Sequence, residues 1–212
     1  MREYLKAVAH GVALAIVTPA LVSYAIRRRM LGADRALEGA AQAMALLPGL
    51  TGVYLRRAFL SRVLAQCDRS ATIAFGVLFS QSGARLGANV YVGPRCHLGL
   101  VHLERDVLLG AGVHVPSGGA THGTTDPGRP IREQAGSPTM VRIGEGTWIG
   151  SNAVVLADVG RHCVVGAGAV VTAPLADYVV AVGVPARVIR TRVATSPRRD
   201  AVGAGPAHLV RR

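Results

Sequence analysis

His122 is the residue of this chain best suited to acid–base chemistry at neutral pH. It lies in PSGGATHGTTDPGRPIREQAGSPTM, the segment between Val115 and Val141, with Asp126, Arg129, Arg132 and Glu133. An imidazole titrates near neutrality, so it can take a proton from a hydroxyl and return it within one cycle. Asp126 has two readings: a carboxylate that orients the imidazole, or the start of a turn with Pro127. Glycines and prolines throughout make the segment a loop, and long loops in compact repeat proteins usually carry function. His97 and His102, with four residues between them, are a second candidate set, this time for a metal. Cys67, Cys96 and Cys163 are odd in number and far apart, with no CxxC. They argue against a disulfide framework and a cysteine zinc site, and fit free thiols in a reducing cytosol.

The element that must position His122 is a repeat. From Ala84 the chain reads RLGANV, YVGPRC, HLGLVH, LERDVL, LGAGVH. Leu86, Val92 and Leu98 are six residues apart and each precedes a glycine. Leu103 follows after five, and Leu109 and Val115 resume the step of six. Beyond the loop, Ile143, Ile149 and Val155 continue it, then Val159, Val165 and Val171 after one shortened rung. A short fixed period marks a stacked solenoid. One branched aliphatic per rung points inward and stacks on the next coil, and the small residue beside it lets the chain turn between faces. The expected fold is therefore mainly β, a parallel β-helix of hexapeptide rungs from about Ala84 to Arg190. Only 4% of residues are aromatic and 26 are glycine, which suits stacked layers better than a conventional core.

Tyr4 to Ile26 is apolar, interrupted by Lys6, His10 and Pro19, and followed by Arg27, Arg28 and Arg29. Its length suffices to cross a bilayer. Basic residues after the apolar run, rather than before it, disfavour a signal peptide. A spanning helix would leave the arginines and everything downstream in the cytoplasm; an interfacial helix kinked at Pro19 is the other reading. Ala36 to Leu64 reads as helical, broken at Pro48–Gly49, and either rests on lipid headgroups or caps the β-helix. The expected divisions are 1–32 (apolar helix), 33–70 (helical segment), 71–190 (β-helix with loop 116–141) and 191–212 (a flexible basic tail). The formal charge of +12 suggests a polyanionic partner. No nucleic-acid motif surrounds the arginine groups, so a membrane surface or a phosphorylated small molecule fits better.

The [LIV]-G-x4 rungs, Thr121-His122 before Asp126-Pro127, IGEGTWIGSNAVV, VVGAGAVVT and VGVPARVIR together resemble the hexapeptide-repeat acyltransferases, the galactoside and maltose O-acetyltransferases in particular. The likeness covers about Gly83 to Arg190. RRAFLSRVLAQC and FGVLFS resemble acyltransferases of bacterial exopolysaccharide clusters. The resemblance implies a left-handed β-helix, a homotrimer with active sites between subunits, and acetyl transfer from acetyl-CoA to a glycan hydroxyl without a metal. His122 falls on the family's catalytic base; Asp126, as a catalytic partner, rests on its place in the loop alone. Trp148 matches a cleft-lining tryptophan. Ser151, Ala167 and Thr172 match acyl-CoA contacts, and Arg187 and Arg190 match basic residues near the nucleotide phosphates. Ala173 stands where relatives often have lysine. Apolar helices replace the small sugar-binding domain of the soluble relatives, which points to a lipid-linked polysaccharide precursor at the cytoplasmic face of a bacterial inner membrane.

Two other functions compete. The His97–His102 spacing is that of two zinc ligands in the γ-class carbonic anhydrases, which share the fold and use zinc to generate hydroxide. A third histidine upstream is missing, apart from His10. A non-catalytic membrane scaffold is the other rival. Outside the zinc reading, His97, His114 and His162 read as rung side chains.

Overall fold

The computed structural model describes residues 2–192, with side chains from Val8 onward; the tail beyond Arg192 lies outside the described residues. Three helices lead the chain: α1 (Arg2–Leu31), α2 (Ala33–Ala45) and α3 (Gly49–Val63). Short strands then wind into a triangular prism of parallel coils. The first face holds β1 (Gln66–Cys67), β4 (Arg85–Leu86), β7 (Val101–Leu103) and β10 (Val141–Ile143). The second holds β2 (Thr72–Ile73), β5 (Tyr91–Val92), β8 (Leu108–Leu109), β11 (Trp148–Ile149), β13 (Val164–Val165) and β15 (Val179–Val182), closed by the antiparallel β16 (Arg187–Thr191). The third holds β3 (Leu78–Phe79), β6 (His97–Leu98), β9 (His114–Val115), β12 (Val154–Val155) and β14 (Val170–Val171).

The second residue of most of these strands points inward. Ile73, Val92, Leu109, Ile149, Val165 and Ala181 stack down the second face, all with 0% exposure. Burying each aliphatic contributes about 1.5–3 kcal/mol. The stack begins at Gln66, a full coil before the aliphatic–glycine pattern starts at Ala84. In that first coil Cys67, Ile73 and Phe79 precede Asp68, Ala74 and Ser80, so the glycine signal is absent.

Rung length is not free at every corner. From the first face to the second, and from the second to the third, the inward residues are always six apart: Leu86 to Val92 to Leu98, Ile143 to Ile149 to Val155, and so on. From Ile73 onward, the third residue after the inward one at these two corners has positive φ. The positions are Gly76, Asn89, Arg95, Asp106, Gly112, Gly146, Asn152, His162, Gly168 and Tyr178. A left-handed residue is what makes so tight a turn, and Gly, Asn and Asp adopt it at least cost. The return from third face to first lacks this device. Its steps are seven (Phe79 to Leu86), five (Leu98 to Leu103), 28 (Val115 to Ile143) and four (Val155 to Val159, Val171 to Leu175). Every irregularity in the repeat, the long loop included, lies at this one corner.

The helices close the open end of the first coil. Leu37 of α2 and Ala58 and Phe59 of α3 are fully buried in the same core as Ala71 and Ile73. Arg56 locks the joint. Its side chain is 1% exposed, and its guanidinium donates to the carbonyls of Met44 and Leu47 at the end of α2 and of Ile73 in β2. Carbonyls at a helix C-terminus carry partial negative charge, so they can solvate a buried cation. Burial still pushes the Arg56 pKa down. α1 leans on α2 and α3 through Ala13, Val17 and Tyr24, but Val12, Ile16, Val22, Ile26 and Met30 are exposed. Val8–Leu31 is long and apolar enough to cross a bilayer. Replacing Arg56 by alanine removes the buried donor to the Ile73 carbonyl and the part-buried donors to those of Met44 and Leu47. The expected loss is about 3 kcal/mol of unfolding free energy, read by denaturant titration; exposed Arg35→Ala should change it by less than about 0.5 kcal/mol.

Candidate active site

The loop leaves the third face after Val115 and returns to the first at Val141. It is ordered by its own backbone pairs: Thr139 N–H to the Ser117 carbonyl (2.8 Å), Ser137 N–H to that of Ala120 (2.7 Å) and Gly123 N–H to that of Gln134 (3.4 Å). Gln134 clips the tip. Its Nε2 donates to the Asp126 and Arg129 carbonyls, and its Oε1 accepts from the Asp126 N–H. At the base, Ser117 Oγ accepts from the Leu100 N–H at 2.7 Å. The two arms meet most closely at Gly136, where a Cβ would lie 2.1 Å from the Thr121 carbonyl oxygen and 2.6 Å from the His122 nitrogen.

The loop covers the third face of the upper coils and encloses a cavity of about 290 Å3, near the lower bound for small-ligand sites. Exposed His122 stands at its edge, with Thr121 beside it; Ser80, Gln81, His97 and His114 form the wall. His97 and His114 occupy the same outward register position on adjacent coils. Their rings stack at 5.0 Å and 6°. Burial, then the neighbouring His97, holds the His114 pKa below its ordinary 6.5. In the sequence His114 reads only as a rung side chain, and His97 as that or as a zinc ligand with His102. The signal that finds the stacked pair is their separation of 17 residues, one coil of this stack.

Asp126 belongs to the turn. Its Oδ1 accepts from the Gly128 N–H at 2.9 Å, and among the described residues no hydrogen bond joins it to His122. The other sequence candidates are dispersed within one chain. Trp148 is exposed on the second face in register with Leu108 and Val164. Ser151 and Ala167 follow one another at the corner between second and third faces, linked by the Gly168 N–H to the Ser151 carbonyl (2.8 Å). Thr172 is exposed at the corner that also emits the loop, and Arg187 and Arg190 are exposed on β16. None of these six lines the His122 cavity.

His102 lies on the first face, in register with Arg85 and Arg142. Burial, then Arg142, lowers its pKa. A divalent cation there would sit against two guanidinium groups, which opposes the zinc reading. Cys96 and Cys163 are buried; burial pushes the Cys96 thiol up to about 11 and also raises that of Cys163. Neither is a ready nucleophile, since the reactive species is the thiolate.

Residues 140–173 match the family described as bacterial transferase hexapeptide (six repeats). A Mycobacterium tuberculosis protein named as a probable acetyltransferase is 46% identical over 65 residues, 30% of this chain and 22% of that protein, so the chain spans about a fifth of that relative. The Escherichia coli K12 protein WbbJ, named for O-acetyl transfer in lipopolysaccharide biosynthesis, is 29% identical over 66% of this chain and 83% of its own length. In fold, the chain is similar to a galactoside acetyltransferase solved with coenzyme A, with a TM-score of 0.63 at 24% identity over 74% of this chain and 80% of that one.

Two outcomes test the site as built. Gly136→Ala must part the two arms; amide exchange should accelerate across residues 117–139 and stay unchanged in the rung strands. For His114, the folded state protonates at lower pH than the unfolded chain. The unfolded state therefore binds more protons as pH falls through 6.5, and stability falls with it. Between about pH 8 and about pH 5, wild type should lose more unfolding free energy than His114→Gln.

Proposed function

We propose that this chain, whose residues 140–173 match the bacterial transferase hexapeptide family, is an acetyl-CoA-dependent O-acetyltransferase acting on a glycan hydroxyl. The observation that carries the reading is the place of His122, held by a braced loop over a cavity walled by rung side chains. As the acceptor oxygen bonds to the thioester carbonyl carbon, His122 takes the hydroxyl proton. When the tetrahedral intermediate collapses, the C–S bond breaks and the imidazolium returns that proton to the departing thiolate. A sugar hydroxyl is too weak an acid to ionise unaided at neutral pH, so a positioned base accounts for a factor of about 10²–10⁴. Asp126 acts on the loop tip rather than on the imidazole.

Ser151 and Ala167 leave one corner lined by small side chains, along which a thin acyl-pantetheine arm can lie, with Thr172 beyond and Trp148 beside it. Arg187 and Arg190 offer exposed cations to the nucleotide phosphates. These groups lie away from the His122 cavity within one chain, which supports a complete site made between copies in a homotrimer. The exposed second-face column Tyr91, Leu108 and Trp148 supports such contact. The exposed apolar side of α1 supports attachment to the inner membrane from the cytoplasmic face, and a lipid-linked polysaccharide precursor as acceptor.

The test is thioester consumption from acetyl-CoA with a panel of glycans, comparing wild type with His122→Ala. The variant should lose at least about 100-fold in kcat and still retain coenzyme A on an affinity column. Equal turnover would remove His122 as the base.

A further inference from the structure

A groove of about 670 Å3 between α1 and the end of α3 is larger than the His122 cavity and separate from it. Leu14, Thr18, Leu21 and Ala25 form one wall at helical spacing, a stripe about 22 Å long when continued to Arg29. This wall is apolar apart from one threonine. The end is different: Arg28 and Arg29 of α1 and Arg62 of α3 line it together. The ion pairs among the described residues all lie on the β-helix or its loop, none on these three. Tyr24 also lines the groove; it is 5% exposed, and its hydroxyl has no hydrogen-bond partner. An apolar trough ending in three cations and an unpartnered hydroxyl matches an anionic head on a hydrocarbon chain.

The cationic end is tied to the His122 cavity. Asp34, five residues after Arg29, lies within about 17 Å of it along the chain. Its Oδ1 accepts from both the N–H (2.8 Å) and the hydroxyl (2.7 Å) of Ser82. Ser82 adjoins Gln81, which lines the His122 cavity. We propose that this groove binds the lipid phosphate of a prenyl-phosphate-linked acceptor, with the prenyl chain along α1, the phosphate on Arg28, Arg29 and Arg62, and the sugar led toward His122. The assignment rests on reading the His122 cavity as the acceptor site.

The experiment uses the full chain in neutral detergent without acetyl-CoA, and native mass spectrometry reads binding of a long-chain prenyl phosphate. Prenyl phosphate should bind at least about tenfold more tightly than the matching prenyl alcohol or phosphatidylglycerol. Arg28→Gln/Arg62→Gln should lose about tenfold, the equivalent of 1.4 kcal/mol. Thr18→Trp, which fills the trough and leaves the charges in place, should lose binding as well. Both variants should keep wild-type helix content and wild-type retention on a coenzyme A affinity column. Equal binding of phosphatidylglycerol would make this a bilayer-lipid site and overturn the proposal, as would undiminished binding by both variants. Tight prenyl phosphate binding by a chain that transfers no acetyl group would support the groove and defeat the acetyltransferase reading alone.

Discussion

Register between stacked coils is the constraint on which the rest of this molecule depends. Parallel strands two or three residues long hold few hydrogen bonds each, so the prism survives only if each inward aliphatic lies directly beneath the one above. Two corners secure this with a fixed six-residue step and a left-handed residue at the same place in nearly every turn. Arg95, His162 and Tyr178 accept that conformation despite their Cβ, which shows how strongly the stack imposes it. The third corner absorbs all variation in length. A 25-residue excursion can therefore leave and return without shifting one rung, and it emerges beside the third face, where His97 and His114 already stand in register.

The helices are built around a different problem. A solenoid end exposes apolar rungs, and α2 and α3 cover them. Arg56 is a buried cation with carbonyl partners only, so its place between the end of α2 and β2 fixes how the cap sits. That cap in turn sets α1, and the Asp34–Ser82 bonds tie the start of α2, just after α1 ends, to the corner that walls the His122 cavity. Position at the membrane-like helix and position at the histidine are thus linked through side chains remote from both.

Much of this was legible in the residues. Aliphatic–glycine pairs report rungs because the glycine follows the inward residue where the next coil passes too close for a Cβ: at Gly93 one would lie 2.6 Å from Gly110. The first coil escaped that rule because Ala74 and Ser80 fit where later coils need glycine. The loop was legible as an interruption of period, but its internal order was not, since Gln134 braces it through carbonyls eight and five residues away. The role of Asp126 depended on a local turn that competes with any contact to His122. The stacked histidines required counting whole coils rather than rungs. Trp148, Ser151, Ala167, Thr172, Arg187 and Arg190 are spread over the second face and two corners, an arrangement that no spacing along one chain can turn into a single pocket.

The 28-residue return also divides the molecule as a folding system. Elsewhere each coil is closed by a return of four to seven residues, so contacts stay local and order can spread from turn to turn outward from the capped end. At the loop, closure entropy exceeds that of a five-residue return by about 1.5 kcal/mol on simple chain statistics. The backbone pairs inside the loop and the Ser117–Leu100 bond recover part of that difference. The junction between Val115 and Ile143 is accordingly the least cooperative step in the stack. The three coils above it and those below it are the natural units of partial unfolding, with the histidine loop as the hinge between them.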